Sequence, residues 1–255
     1  MGCGKSLFRL LPPLAGFALF LSGGCEDRSE STGAAAPSAT RVVTTGPAGT
    51  GIVRGTVSFK GHAPEPERVD AARCHPGATE IEVAPVRLGA GGALRDVMVY
   101  VKDPRAVPAD APGDPVTLDQ VDCQYVPHVL GVRAGQVLRV KSSDPTAHNV
   151  HAMSAKNPTV NFGMTQPGST RDLTFAVPEQ FAVKCDVHPW MTAHVYVMDH
   201  PFFAVSGDDG KFEITGLPPG EHRLVFSHPF LGERERVVQV DAGAATADVT
   251  FERSK

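Results

Sequence analysis

Cys185, His188 and Met191 follow one another as C-x2-H-x2-M inside VKCDVHPWM, residues 183 to 191. A thiolate, an imidazole and a thioether are soft donors. A plane of two histidines and one cysteine, with a weak methionine on the axis, describes a blue-copper centre. One more histidine is needed from elsewhere in the chain. His148 is the candidate, because it follows a polar turn in SSDPTAHNVHAM and comes just after the strand-like alternation VLRVK, residues 137 to 141. Zinc also accepts Cys and His and has no need of methionine, so it is the competing ion. A dinuclear copper centre would require two cysteines in the loop, and the loop holds only Cys185.

The reading of Cys185 depends on the other four cysteines and on the compartment. The N-terminus, MGCGKSLFRLLPPLAGFALFLSGGC, has a basic start at Lys5 and Arg9 and an apolar run broken by Pro12 and Pro13, then small residues before Cys25. That is a secretory signal over residues 1–25. Its end resembles a bacterial lipobox, which implies lipidation of Cys25 and a membrane anchor at the cell envelope; ordinary cleavage nearby would leave a secreted, soluble protein instead. Residues 26–50 are small and polar and read as a flexible tether. Cys3 leaves with the signal, so Cys74, Cys123 and Cys185 remain in an oxidising compartment, where two of the three should pair. Cys74 and Cys123, both in turn-like, proline-bearing surroundings, are the better pair, and they leave Cys185 as a single thiol. Removing Lys5 and Arg9 leaves 22 basic against 28 acidic side chains, a formal charge of −6 with no basic stripe. Nucleic acid is therefore not an expected partner, whereas a basic redox protein would suit the surface.

The segments that must position these donors alternate with period two. GIVRGTVSFKG (51–61), LRDVMVYVKD (94–103), TAHVYVM (192–198), KFEIT, RLVFS, RVVQVD and ADVTFE read as strands, and no segment carries a long helical stripe. DDG at 208–210 reads as a hairpin turn, and the expected class is all-β.

The pattern V-x-x-G-Q-x-L-x-V-x-S-x-D-x-x-x-H-N-V at 132–150, followed by V-K-C-D-V-H-P-W-M, resembles the cupredoxins, with the short amicyanin-like ligand loop. The resemblance covers roughly 116 to 199. It implies a Greek-key β-sandwich and one type 1 copper held by His148, Cys185, His188 and Met191. It also implies that Asn149 fixes the loop carrying the first histidine, that Pro189 stiffens the ligand loop, and that His188 lies nearest the surface as the electron port. Trp190 reads equally as a surface patch beside His188 or as a packed core aromatic. His151 and His128 suit supporting positions near the site rather than ligation. His75 is a donor only if the cysteine pairing is wrong. His194, His200, His222 and His228 read as ordinary strand or loop residues.

The tail from 201 to 252 resembles the carboxypeptidase regulatory-like, transthyretin-like domain, with Ser206 and His222 at positions that usually hold threonine and tyrosine. That family's opening strands, G-x-V-x-x-x-G and A-x-V-x-V, correspond to GTVSFKG and DVMVYV far upstream. The implied organisation is a discontinuous smaller sandwich, 51–105 and 201–252, with the cupredoxin over 106–200 inserted and a Cys74–Cys123 bridge stapling the two together. The alternative is an enlarged cupredoxin followed by an independent sandwich, and contact between 52–59 and 222–226 separates the two.

Single-electron transfer without bond chemistry is the function this organisation implies, with a redox protein as partner. Copper delivery or storage, and a non-redox carbohydrate- or protein-binding module, are the competing readings. An enzyme is not expected, because copper oxidases and reductases need a second centre with more histidines.

Overall fold

The computed structural model describes residues 44–45, 49–72, 74, 80–107, 113–241 and 243–253. The signal with Cys25, most of the tether, and His75 lie outside the described residues. Among the described residues there is no α-helix; a single 3-10 turn at Ala90–Gly92 interrupts an all-β chain. No described helix is long and apolar enough to cross a membrane.

Four of the sheets build two sandwiches. In the first, Thr170–Thr174, Val137–Ser142, Val116–Val121 and Gln124–Val126 lie side by side. They face a five-stranded sheet ordered Val160–Met164, His148–Ala152, Glu179–Lys184, Thr192–Met198 and Val129–Arg133. Alternation supplies the core: Leu118, Leu138, Val140, Val150, Val183 and Val195 are buried in one cluster between the sheets. The second sandwich sets Phe203–Val205, Met98–Lys102, Gly220–His228 and Gly232–Val240 against Lys211–Leu217, Gly51–Gly61 and Ala244–Thr246. Val249–Arg253 extends the last sheet by pairing in parallel with the second half of Gly51–Gly61. Val53, Val57 and Phe59 share one buried core with Leu224 and Phe226. Strands before and after the first sandwich therefore close around one core, and residues 116–198 supply most of the other.

Three features depart from simple alternation. Met98–Lys102 and Thr192–Met198 are buried on both faces, because Met98, Val129 and Tyr196 form a small apolar cluster where the two sandwiches meet. The Tyr196 hydroxyl sits 3.0 Å from Ser227 Oγ across that junction. Packing there is tight enough that a Cβ on Gly131 would lie 2.5 Å from the Phe203 ring. Second, the DDG turn does not make a hairpin. Phe203–Val205 and Lys211–Leu217 lie in different sheets, so the turn carries the chain across the sandwich. Gly210 is needed because it has φ +72° and its Cβ would meet the Val57 carbonyl at 2.3 Å. Third, the hairpin of Glu67–Asp70 and Glu80–Val83 lies within the stretch read as part of the smaller sandwich, yet Ala71, Cys74 and Ile81 are buried in the core of the first.

One loop near the far end of the first sandwich is organised by a single carboxylate. Glu179 accepts hydrogen bonds from Ser154 Oγ, from the N–H groups of Ala155, Lys156 and Asn157, and from Asn157 Nδ2. Burial alone would raise its pKa, but these donors outweigh that and hold it at about 2. A depressed carboxyl contributes stability that is fully present above its unfolded pKa and is lost as pH falls through the folded value. The melting temperature of the wild type should exceed that of Glu179→Gln at neutral pH, and the gap should close as pH falls from about 5 to about 2. A gap that stays constant over this range would mean the carboxylate does not organise the loop.

Candidate metal centre

The ligand loop is a closed turn between two paired strands. Val183 pairs with Ala193 and Lys184 with Thr192 at its base. The Cys185 N–H donates to the Met191 carbonyl at 3.2 Å, and the Met191 N–H to the His188 carbonyl at 2.9 Å. Cys185 and Met191 are thus the first and last residues of one seven-residue loop, both buried. His148 opens the neighbouring strand, where the pairing of His151 with Lys184 and Ala152 with Val183 sets its height beside the loop.

These placements bring three donors together. His148 Nδ1 and His188 Nδ1 are 3.0 Å apart, and Cys185 Sγ is 4.0 Å from the first and 3.8 Å from the second. Met191 stands in the same loop and the same buried cluster as Cys185. Burial opposes ionisation of Cys185. The His148 ring and the N–H groups of Asn149, His188 and Val187 outweigh it, so the thiol titrates below its usual range. The His148 pKa is raised: burial lowers it, but Cys185 and Asp144 more than compensate. Burial and the neighbouring His148 lower that of His188. A readily formed thiolate flanked by two imidazoles, with a thioether closing the loop, fits copper by donor chemistry.

The surroundings fix these donors. Asn149 donates its backbone N–H to Cys185 Sγ at 3.5 Å, and its side chain binds the Asp186 N–H and, at 2.9 Å, Asp186 Oδ2. His151 Nδ1 lies 3.1 Å from Asp186 Oδ1, so it supports the loop from outside. Pro189 is exposed on the loop's surface. The Trp190 ring lies 5.2 Å from that of His188, and its Nε1–H donates to the Cys123 carbonyl at 3.1 Å. Trp190 is therefore a half-buried cover over His188 rather than a free patch.

Two residues that sequence reasoning did not single out complete the site. Asp144, four residues before His148, lies 2.8 Å from His148 Nε2 through Oδ2 and accepts the N–H groups of Asp122 and Cys123 at 2.7 and 2.9 Å. Such a carboxylate fixes the ring so that the opposite nitrogen faces the metal. The D-x3-H spacing was the available signal. The Tyr125 hydroxyl donates to the Asn149 carbonyl at 2.6 Å and ties the opposing sheet to the ligand strand; nothing in the local pattern marks it.

The cysteine arithmetic holds: Cys74 and Cys123 are bridged across a separation of 49 residues, and Cys185 is free and buried. His188 is 6 % exposed, against 1 or 2 % for His148, Cys185 and Met191, so it is the least buried of the four, with the disulfide and Trp190 against its ring. The remaining described histidines stay outside the donor group. The His128 carbonyl accepts the His194 N–H at 2.8 Å, and burial holds His194 and His228 at about 4. His200 Nδ1 accepts the Phe202 N–H at 3.2 Å, and His222 Nε2 lies 2.7 Å from the Pro218 carbonyl.

No family model and no curated protein matches the chain. Among solved structures it is similar to amicyanin from Paracoccus versutus, with 24% identity over 35% of this chain and 86% of that one, at a TM-score of 0.30. It is similar to a purple cupredoxin from Nitrosopumilus maritimus, with 17% identity over 33% of this chain and 99% of that one, at a TM-score of 0.28. It is also similar to a Cu-containing nitrite reductase (NirK) from Thermus scotoductus SA-01, with 18% identity and a TM-score of 0.29; the match covers 55% of this chain but only 28% of the reductase. The all-β architecture and the clustering of the donors rest on the strand pairing and side-chain distances above.

Proposed function

We propose that this chain is a copper protein of the cell envelope that passes single electrons through one type 1 site. The observation that carries the reading is the convergence of His148 Nδ1, His188 Nδ1 and Cys185 Sγ, all buried, with Met191 buried at the end of the same loop. Copper bound there supplies a one-electron couple. The chain's own contribution is to hold the donors still. The loop is clamped at its base by strand pairing, Asp144 fixes the His148 ring, and Asn149 fixes the loop and donates to the thiolate. Donors that cannot move cost little reorganisation when the charge of the ion changes, and burial keeps water out of its coordination.

The second sandwich, read as transthyretin-like with the metal-bearing sandwich inserted into it, acts as a rigid mount. A lipid on Cys25 tethers the assembly to the membrane through the segment 26–50. The partner is a redox protein, for which the −6 charge favours a basic face. Neither nucleic-acid binding nor catalysis is part of the reading. Burial of every donor favours retention of copper over delivery, so a competing chelator should strip it slowly.

The deciding experiment is an optical and EPR spectrum of the Cu(II)-loaded protein. An intense thiolate-to-copper band with a narrow copper hyperfine pattern is expected. A colourless copper-loaded protein, or one that binds only zinc, ends the reading.

A further inference from the structure

Trp190 faces two ways. Its ring lies 5.2 Å from that of His188, and the same side chain lines a cleft of about 430 Å³ between the two sandwiches. Val83 and Pro85 line that cleft from one side, and Phe230, in the turn after Gly220–His228, lines it from the other. Phe230 is 48 % exposed, while Trp190, Val83 and Pro85 are half-buried. Glu65 and Glu67, both exposed, complete this part of the lining. An apolar patch rimmed by polar side chains marks an interaction surface. The lining includes two glutamates and, among the described residues, no lysine or arginine. Its histidines add no positive charge at neutral pH, because burial holds His194 at about 4 and lowers His128 as well. Arg253 stacks over the Phe230 ring at 5.3 Å and lies outside the lining.

We propose that this cleft is where the redox partner docks, and that Trp190 carries the electron between the partner and His188. The partner is a basic protein. It seats an apolar side chain on Trp190 and Phe230 and sets lysine or arginine side chains against Glu65 and Glu67. Aromatic anchors at the centre with charges on the rim are the usual anatomy of a protein interface. The indole is already fixed, because its Nε1–H donates to the Cys123 carbonyl at 3.1 Å, so docking need not order it. The chemistry is a bare transfer. One electron leaves the reduced centre of the partner and converts Cu(II) to Cu(I) beside His188; no bond forms or breaks, and no proton moves. Electronic coupling falls steeply with distance, and a conjugated ring against both the ligand and the partner bridges the gap that burial of His188 leaves.

The electron route rests on the copper reading, but the docking does not, so the two are tested separately. The docking test adds a basic c-type cytochrome to the isotope-labelled, metal-free mature chain. Saturable amide shifts should concentrate at Glu65, Glu67, Val83 and Phe230 and at the Trp190 indole N–H. No saturable binding, or shifts gathered instead at the exposed loop tip Val187 and Pro189, would overturn the proposal. The transfer test uses the same cytochrome with zinc in its porphyrin, whose light-excited state reduces Cu(II) whatever the ground-state potential. At about 0.1 M salt, where charges more than about 10 Å away are largely screened, Glu65→Lys/Glu67→Lys should slow bimolecular transfer at least about tenfold. Glu213→Lys/Glu221→Lys makes the same change of net charge outside the cleft lining and should slow it far less. Trp190→Leu should slow transfer within the bound complex, and Trp190→Phe, which keeps a ring, should restore most of the rate. Equal slowing by the two charge reversals removes the docking site, and undiminished transfer in Trp190→Leu removes the route. A metal-free chain that docks at the cleft but gives no blue copper form would sink the copper reading and leave the docking surface standing.

Discussion

Cys185→Ala should remove the visible charge-transfer band of the copper-loaded protein completely. It should also weaken copper retention by more than the 10–100-fold that loss of an outer-sphere partner costs. The band belongs to the sulfur–copper bond, and Cys185 is the free cysteine among the described residues, so no other thiolate replaces it. Folding should survive. The loop base is held by strand pairing, and the lost contact is a long one, from the Asn149 N–H at 3.5 Å. The cost of leaving that group unpaired is about 1–3 kcal/mol. A variant that melts cooperatively but has no colour meets the expectation. A variant that keeps the band would show that the thiolate does not bind the ion, and the proposed function would fall with it.

Asp144→Ala should harm both stability and metal affinity. The Asp144 carboxylate is 4 % exposed and satisfies three groups at once: the N–H groups of Asp122 and Cys123 and the His148 ring. Truncation strands two backbone donors in a region with little access to water, at about 1–3 kcal/mol each. A loss of roughly 2–6 kcal/mol is therefore expected in denaturant unfolding. The freed ring should also cost about 10–100-fold in copper affinity and broaden the EPR signal, as loss of an outer-sphere partner does. Asp144→Asn, which keeps an acceptor of the same shape, should fall between the two. If Asp144→Ala unfolds at the wild-type denaturant midpoint and binds copper as tightly, the carboxylate positions nothing.

Much of the site was legible from local spacing. C-x2-H-x2-M lies on one short loop, so three candidate donors had to be close however the rest folded. Strands such as Gly51–Gly61 and Thr192–Met198 were readable because alternate residues meet one core. The pairing of Cys74 with Cys123 was expected from the turn-like, proline-bearing surroundings of the two, once an oxidising compartment was assumed.

Contacts between residues far apart in sequence were not legible. Local alternation could not show that Met98 and Tyr196 are buried on their second face, since that depends on one sandwich packing on the other. DDG has the composition of a hairpin turn, and composition alone does not reveal that its flanking strands belong to different sheets. The bridge that packs a distant segment against the His188 ring joins residues 49 apart, which no local pattern displays. Asp144 lies beside His148 in sequence, but its value comes from also capping the turn at Asp122 and Cys123, across the opposite sheet. The sequence by itself determined which atoms are candidate donors, because donor chemistry and short spacing are local properties. Tertiary structure alone decided how those atoms are oriented and covered, because burial and hydrogen bonding between distant segments exist only once the sheets have packed.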